Sequence, residues 1–211
     1  KIWYNAGMDL VKIFSEGASA EKFAKFEKIL SENNKKFNLT AICDKKDVYI
    51  KHFCDSILPE SLFPYGAKTV EIGSGGGFPS VPLKIIRPDL DFTLIESTGK
   101  KCKHLNEVVD KLGLSGAEIK NIRAEDGARS HLRESFDVCT ARAVARLNTL
   151  SEYCLPYVKL GGIFIAYKAD VAGEIKESVS AVKILGGEIE RLFEYRLPED
   201  GGKRVALVIR K

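Results

Sequence analysis

The sequence predicts an α/β fold: a mostly parallel, seven-stranded sheet with helices on both faces, a C-terminal antiparallel hairpin and an N-terminal helical extension. Three observations carry this. From Lys68 onward, short runs rich in β-branched residues alternate with helical stretches, the pattern of βαβ units in a parallel sheet. The last two strand-like runs are separated only by a loop containing Gly201 and Gly202, which suits a hairpin rather than a crossover. Residues 1–65 read as helical, so the chain divides into an extension over 1–65 and a sheet domain over 66–211.

In the extension, Phe23, Phe26 and Leu30 recur at helical spacing behind Ser19 as N-cap. A second helix is expected over 48–57, and Pro59, Pro64 and Gly66 end the helical pattern. The parallel strands are placed at 69–73, 92–96, 117–122, 136–141 and 161–167. VPLKII, KCKHLNEVVDKLG and LNTLSEYCLPYV supply helices between them, and GEIKESVSAVKILG precedes hairpin strands at 189–197 and 204–211.

With 211 residues, the chain can bury a sizeable core without a disulfide or metal staple. Its 45% hydrophobic and 29% charged content is that of a globular protein. No apolar run approaches the ~20 residues needed to cross a bilayer, and the first fifteen residues lack a secretion signal. A cytosolic protein is expected. The five cysteines form no C-x-x-C pair and the three histidines have no ligand spacing. Reduced, mostly buried thiols and no metal are therefore expected. A net charge of +4 suits a nucleic-acid partner without requiring one.

The strongest local signal is Glu71-Ile-Gly73-Ser-Gly75-Gly76-Gly77-Phe78-Pro79, between a strand and a helix. Glycines let the chain turn and let a ligand approach where a Cβ would collide; the following helix offers free N–H groups. A dinucleotide fingerprint counted from Gly73 wants glycine where Phe78 stands, and counted from Gly75 it reaches Ser80, a looser fit. The Gly-Lys-Ser/Thr of a phosphate-binding P-loop is absent. What remains is G-x-G-x-G, the form found in methyltransferases, and five parallel strands ending in a hairpin match their Rossmann-like class I sheet. Glu96 ends the second strand, where a carboxylate can accept from both hydroxyls of a ribose. NAD enzymes share that device, so it indicates an adenosine-containing cofactor. After the third strand, Ala124 is placed against an adenine, with Glu125 or Asp126 to receive its amino group; a plain helix-initiating acidic pair is the alternative.

These residues resemble the bacterial small-subunit (16S) ribosomal RNA guanine N7-methyltransferases, the glucose-inhibited division protein B family. The matching stretches are Asn38-Leu-Thr-Ala-Ile42, Lys51-His-Phe-Cys-Asp-Ser56, the glycine loop with Pro82-Leu83, Leu94-Ile-Glu-Ser97 with Gly99-Lys-Lys101, Arg123-Ala-Glu125, Ala141-Arg-Ala143 and Val208-Ile-Arg-Lys211. They cover about residues 20–211 in order. Gly76 and Ser80 stand where Ala and Gly are usual, and Ala166-Tyr-Lys168-Ala169 where Lys-Gly is common. The stretch before Met8 reads as a clipped or non-native tail. The resemblance implies S-adenosylmethionine as cofactor and contacts to it at Gly73, Phe78, Ala124, Glu125 and Arg142, to which the loop chemistry adds Gly75 and Glu96. It also implies a cytosolic monomer whose partner is 16S RNA or a small-subunit precursor.

Guanine N7 carries an in-plane lone pair and no proton, so its methylation needs no general base and rests on positioning. The chain has neither the Asn/Asp-Pro-Pro-Tyr set that methylates exocyclic amines nor a Pro-Cys nucleophile; Cys139 reads as packing. Arg142 is the candidate for binding the cofactor or orienting the base. Arg146 would share its face if the segment is helical, serving RNA or an ordinary salt bridge. Lys100, Lys101 and Lys103 open a helix against its dipole, which hints at a phosphate partner. Lys35, Lys36, Lys45 and Lys46 could extend that track, and Lys168 joins the RNA-facing set. A small-molecule methyltransferase, a nucleotide-binding oxidoreductase and a non-catalytic RNA-binding module remain as alternatives.

Overall fold

The computed structural model describes residues 9–211. Helices α1 (Leu10–Ser15) and α2 (Gly17–Phe37) open it. Next, α3 (Lys45–Val48) runs through a π-helical turn at Tyr49–Cys54 into α4 (Asp55–Ile57). Phe23, Phe26 and Leu30 form the buried stripe of α2, as their spacing predicts. The predicted N-cap does not hold. Asp9 caps α1 by accepting from the Lys12 N–H (3.0 Å), and the chain re-enters helix at Gly17. Ser19 therefore lies inside α2, donating to the Ile13 carbonyl (3.3 Å).

The sheet comprises β1 (Lys68–Ile72), β2 (Asp91–Ile95), β3 (Ala117–Lys120), β4 (Phe136–Arg142), β5 (Val158–Lys168), β6 (Glu188–Arg196) and β7 (Lys203–Arg210). Its order is β3-β2-β1-β4-β5-β7-β6. The first five strands are parallel, and β7 is antiparallel to β5 and to β6. Helices α5 (Ser80–Ile86), α6 (Gly99–Leu112), α7 (Ala124–Ala128), α8 (Leu147–Cys154) and α9 (Ala172–Ile184) connect them. β3 ends two residues earlier than predicted, because the Ile122 N–H turns back to the Lys120 carbonyl on the way into α7.

Strand alternation divides the apolar side chains between two faces. Val70, Ile72, Cys139, Ala141, Phe164 and Ala166 face α7, α8 and α9, whereas Phe92, Leu94, Val138, Ile163, Ile165 and Tyr167 face α5, α6 and the chain before β1. A third cluster joins Phe23, Phe26, Leu30, Phe53 and Ile57 of the extension to Phe78, Val81, Val108 and Leu112 of the sheet domain. One core thus crosses residue 66. Phe53 lies 5.1 Å from Phe23 and 5.4 Å from Phe26, centroid to centroid, and Phe26 lies 5.4 Å from Phe78, within range of favourable ring pairing. Strand order reverses between β1 and β4, so their carboxyl ends open the crevice where such sheets bind ligands.

Candidate active site

At that crevice, Gly73, Glu96, Ala124 and Glu125 line one cleft of about 150 Å3, together with Ile72, Ile95, Ile122, Val144 and Tyr153. Gly73 has φ +70°, and a Cβ there would lie 2.7 Å from Val144 Cγ2; only glycine turns the chain at this close approach. Glu96 is buried. Its Oε2 accepts the Gly75 N–H (3.0 Å) and its Oε1 the Thr98 N–H (2.8 Å), so the carboxylate ties the glycine loop to the start of α6. Each oxygen keeps a lone pair for a further donor. Ala124 begins α7, with Glu125 and Asp126 in its first turn. Tyr157 donates from its hydroxyl to the Ala124 carbonyl (2.6 Å), fixing that end of the cleft from the neighbouring element.

Phe78 and Arg142 stand outside this cleft, in a second cluster that the sequence does not reveal. Arg142 ends β4. Its Nη1 donates to Asp55 Oδ2 (3.0 Å) and to the Lys51 carbonyl (3.3 Å), and its Nη2 to His52 Nδ1 (2.8 Å). The guanidinium carbon lies 4.9 Å from the Phe78 ring centroid, and the His52 ring stacks on Phe78 at 4.4 Å and 19°. Burial, reinforced by the Arg142 charge, pushes the His52 pKa down to about 3. Between the two clusters sits Glu71, fully buried in β1. Its Oε2 accepts the Ser80 N–H (3.1 Å) while Oε1 has no partner among the described residues. Burial raises its pKa to about 8, against the opposing influence of Ser80 and Arg142.

Arg142 and Arg146 do not share a helical face. The chain leaves β4 through a bend in which Ala143 takes φ +56°, and Arg146 is the N-cap residue of α8. There Arg146 pairs with Glu177 (2.5 Å). Lys168 is similarly engaged, donating to Glu174 (2.8 Å) and to the Ala145 carbonyl (2.9 Å). Lys45 and Lys46 pair with Glu27 and Glu199. By contrast, Lys100, Lys101 and Lys103 open α6 with no acidic residue in its first turn. Neither they nor Lys35 and Lys36 pair with a carboxylate among the described residues. Cys139 is wholly buried, and burial beside Cys154 raises its thiol well above the ordinary range, which is packing chemistry.

Comparison with known proteins gives this geometry a family. Residues 19–196 match the family model described as GidB, rRNA small subunit methyltransferase G. The chain belongs to this family. Among relatives named ribosomal RNA small subunit methyltransferase G, that of Staphylococcus epidermidis is 42% identical over 99% of this chain and 89% of its own length. That of Lactobacillus johnsonii is 46% identical over 90% of this chain and 82% of its own. Solved structures share the fold at low identity. A SAM-dependent methyltransferase from Aquifex aeolicus has TM-score 0.59 and 15% identity, covering 86% of this chain and 98% of that one. The Bacillus subtilis tRNA methyltransferase TrmK has TM-score 0.58 and 17% identity, covering 76% and 65%.

The chain is therefore an S-adenosylmethionine-dependent ribosomal RNA methyltransferase. The residues present suit that cofactor. The cleft offers a glycine bend, an oriented carboxylate and an apolar slot between Ile95, Ile122 and Ala124. Its free space falls below the ~300–1,000 Å3 usual for small-molecule sites, and Val144 is the side chain that narrows it at Gly73.

Proposed function

We propose that this chain methylates N7 of a guanine in 16S ribosomal RNA, free or in a small-subunit precursor, as a cytoplasmic monomer that needs no metal. One observation carries the reading. A strand-tip cleft that combines the glycine loop with an oriented carboxylate stands at the sheet's switch point, in a chain of this family.

When bound, S-adenosylmethionine supplies an electrophilic methyl group on a positively charged sulfur. Gly73 and Gly75 would admit the cofactor, Glu96 would receive its ribose hydroxyls, and Ala124 and Glu125 would flank its adenine. Phe78 and Arg142, beside that cleft, would contact the cofactor, with Arg142 also placed to orient the base. Guanine N7 brings its own in-plane lone pair, so the residues around it would have only to orient the base toward that methyl group. No side chain has to remove a proton. His52, neutral at working pH, is not asked to act as a base, and the work of the site is alignment.

Lys100, exposed, and Lys101, half-buried, are assigned to RNA phosphates because they pair with no carboxylate among the described residues and are set against the helix dipole. Arg146 and Lys168 would contact RNA only by exchanging their present carboxylate partners. Residues 1–65 serve as the helical extension and 66–211 as the methyltransferase domain. The deciding experiment is labelled methyl transfer to small-subunit RNA and its precursors, followed by nucleoside digestion and mass spectrometry. N7-methylguanosine is expected; its absence, or a different methylated nucleoside, overturns the assignment.

A further inference from the structure

A buried polar chain runs from the loop after α2 to the terminal hairpin, and Arg142 lies at its centre. Thr40 Oγ1 is 2.7 Å from His52 Nε2, and His52 Nδ1 accepts from Arg142 (2.8 Å). Arg142 donates to Asp55 Oδ2 (3.0 Å), and Asp55 Oδ1 accepts from the Tyr195 hydroxyl (2.7 Å). Arg204 adds its charge to Asp55 from the hairpin at 3.9 Å, and Glu71 acts on Arg142 from β1. Asp55 and His52 are 6% and 8% exposed, so each of these groups depends on its protein partners rather than on water.

The chemistry of the donors settles the imidazole's state. A guanidinium only donates, so His52 Nδ1 must present a lone pair. The ring proton is then on Nε2 and is donated to Thr40 Oγ1, which also accepts the Ile42 N–H (3.1 Å). A protonated ring would face the guanidinium with two like charges and no acceptor between them. The ring is thus a fixed, neutral acceptor pressed on Phe78, and the guanidinium is gripped by Lys51, His52 and Asp55, which are 87 to 91 residues away in sequence.

We propose that His52, Asp55 and Thr40 are positioning residues that preset Arg142 for methyl transfer, so that the N-terminal helical segment completes the catalytic site. This rests on the methyltransferase reading above. Arg142 is the side chain that meets the reactants; His52 acts only through it, and Thr40 acts only through His52. The role is geometric throughout. A displacement of about 1 Å in an aligned site costs about 100-fold in rate, which sets the size of effect expected from losing the imidazole acceptor.

A double-mutant cycle on kcat/KM for ribosomal RNA methylation tests it. His52→Phe keeps a ring on Phe78 but offers Arg142 no acceptor, and it should lower kcat/KM about 100-fold. In an Arg142→Ala background the same change should cost less than about 3-fold, since its only route of action is already gone. His52→Asn, whose carboxamide oxygen can take the place of Nδ1, should recover to within about 10-fold of wild type. Thr40→Val, which removes only the outer link, should lose several-fold in kcat/KM. Independently of activity, ring nitrogen NMR of the wild type should show the neutral Nε2–H tautomer unchanged from pH 8 to pH 5. Equal losses from His52→Phe with and without Arg142, or a His52 ring that titrates in that range, overturn the clamp. A wild-type chain that transfers no methyl group overturns the functional reading instead, while the ring tautomer still reports on the clamp.

Discussion

Glu96 accepts two backbone amides at once while facing the cleft, so it both shapes the loop and is available to a ligand. Hydrogen bonds to a charged group contribute about 1.5–3 kcal/mol each. Glu96→Ala should therefore weaken cofactor binding by about 10- to 100-fold, read by calorimetry; unchanged affinity would remove Glu96 from the site. Glu71 makes a different prediction. Its folded pKa of about 8 lies above its ordinary value of 4.5, so the folded chain holds a proton that the unfolded chain releases between those values. The resulting stability is complete below pH 4.5 and is lost as pH rises through 8. Melting temperatures across this window should fall with pH more steeply in wild type than in Glu71→Gln, and parallel curves would show that Glu71 is ionised. The glycine loop and Glu96 were legible in the sequence because their constraint is local, a turn and a strand tip. His52, Asp55 and Thr40 were visible only as parts of motifs. Their partner Arg142 lies far along the chain, and no periodicity encodes a contact of that kind.

At the scale of elements, strand positions could be read from short β-branched apolar runs between helical stretches, because each central strand buries both faces against different helices. Helix starts were less legible. The stripe of α2 identified the helix, but its beginning depends on how α1 hands over at Gly17. The expectation that Arg142 and Arg146 share a face failed because Ala143 leaves the right-handed region, which breaks any continuous helix between them. The link between α7 and the segment after α8 carries a testable consequence. A Cβ on Gly127 would lie 2.2 Å from the Tyr157 hydroxyl and 2.9 Å from Ile122 Cδ1. Gly127→Ala must push Tyr157 off the Ala124 carbonyl, costing about 1–3 kcal/mol and shifting the Ala124 end of the cleft. Urea unfolding should show the loss, and adding Tyr157→Phe should restore part of it by removing the clashing oxygen. A Gly127→Ala midpoint equal to wild type would contradict the packing described.

For the whole molecule, a net charge of +4 is modest, so RNA affinity depends on where the unpaired cations stand. Methylation should fall steeply with salt, and Lys100→Gln with Lys101→Gln should lower the slope of log affinity against log salt by roughly 1–2, as expected for one or two lost phosphate contacts. An unchanged slope would move the RNA path elsewhere. The order of the sheet was legible in outline, since crossovers and a closing hairpin leave few topologies. The docking of the extension was not, because a helical stripe of phenylalanines says that something is covered without saying what. In the structure it covers Phe78 at the edge of the glycine loop. The first helices and the sheet should therefore melt in one transition in calorimetry, and two separate transitions would contradict the shared core. A chimera carrying another enzyme's leading helices would inherit a mismatched hydrophobic seam at the very place where Arg142 is held.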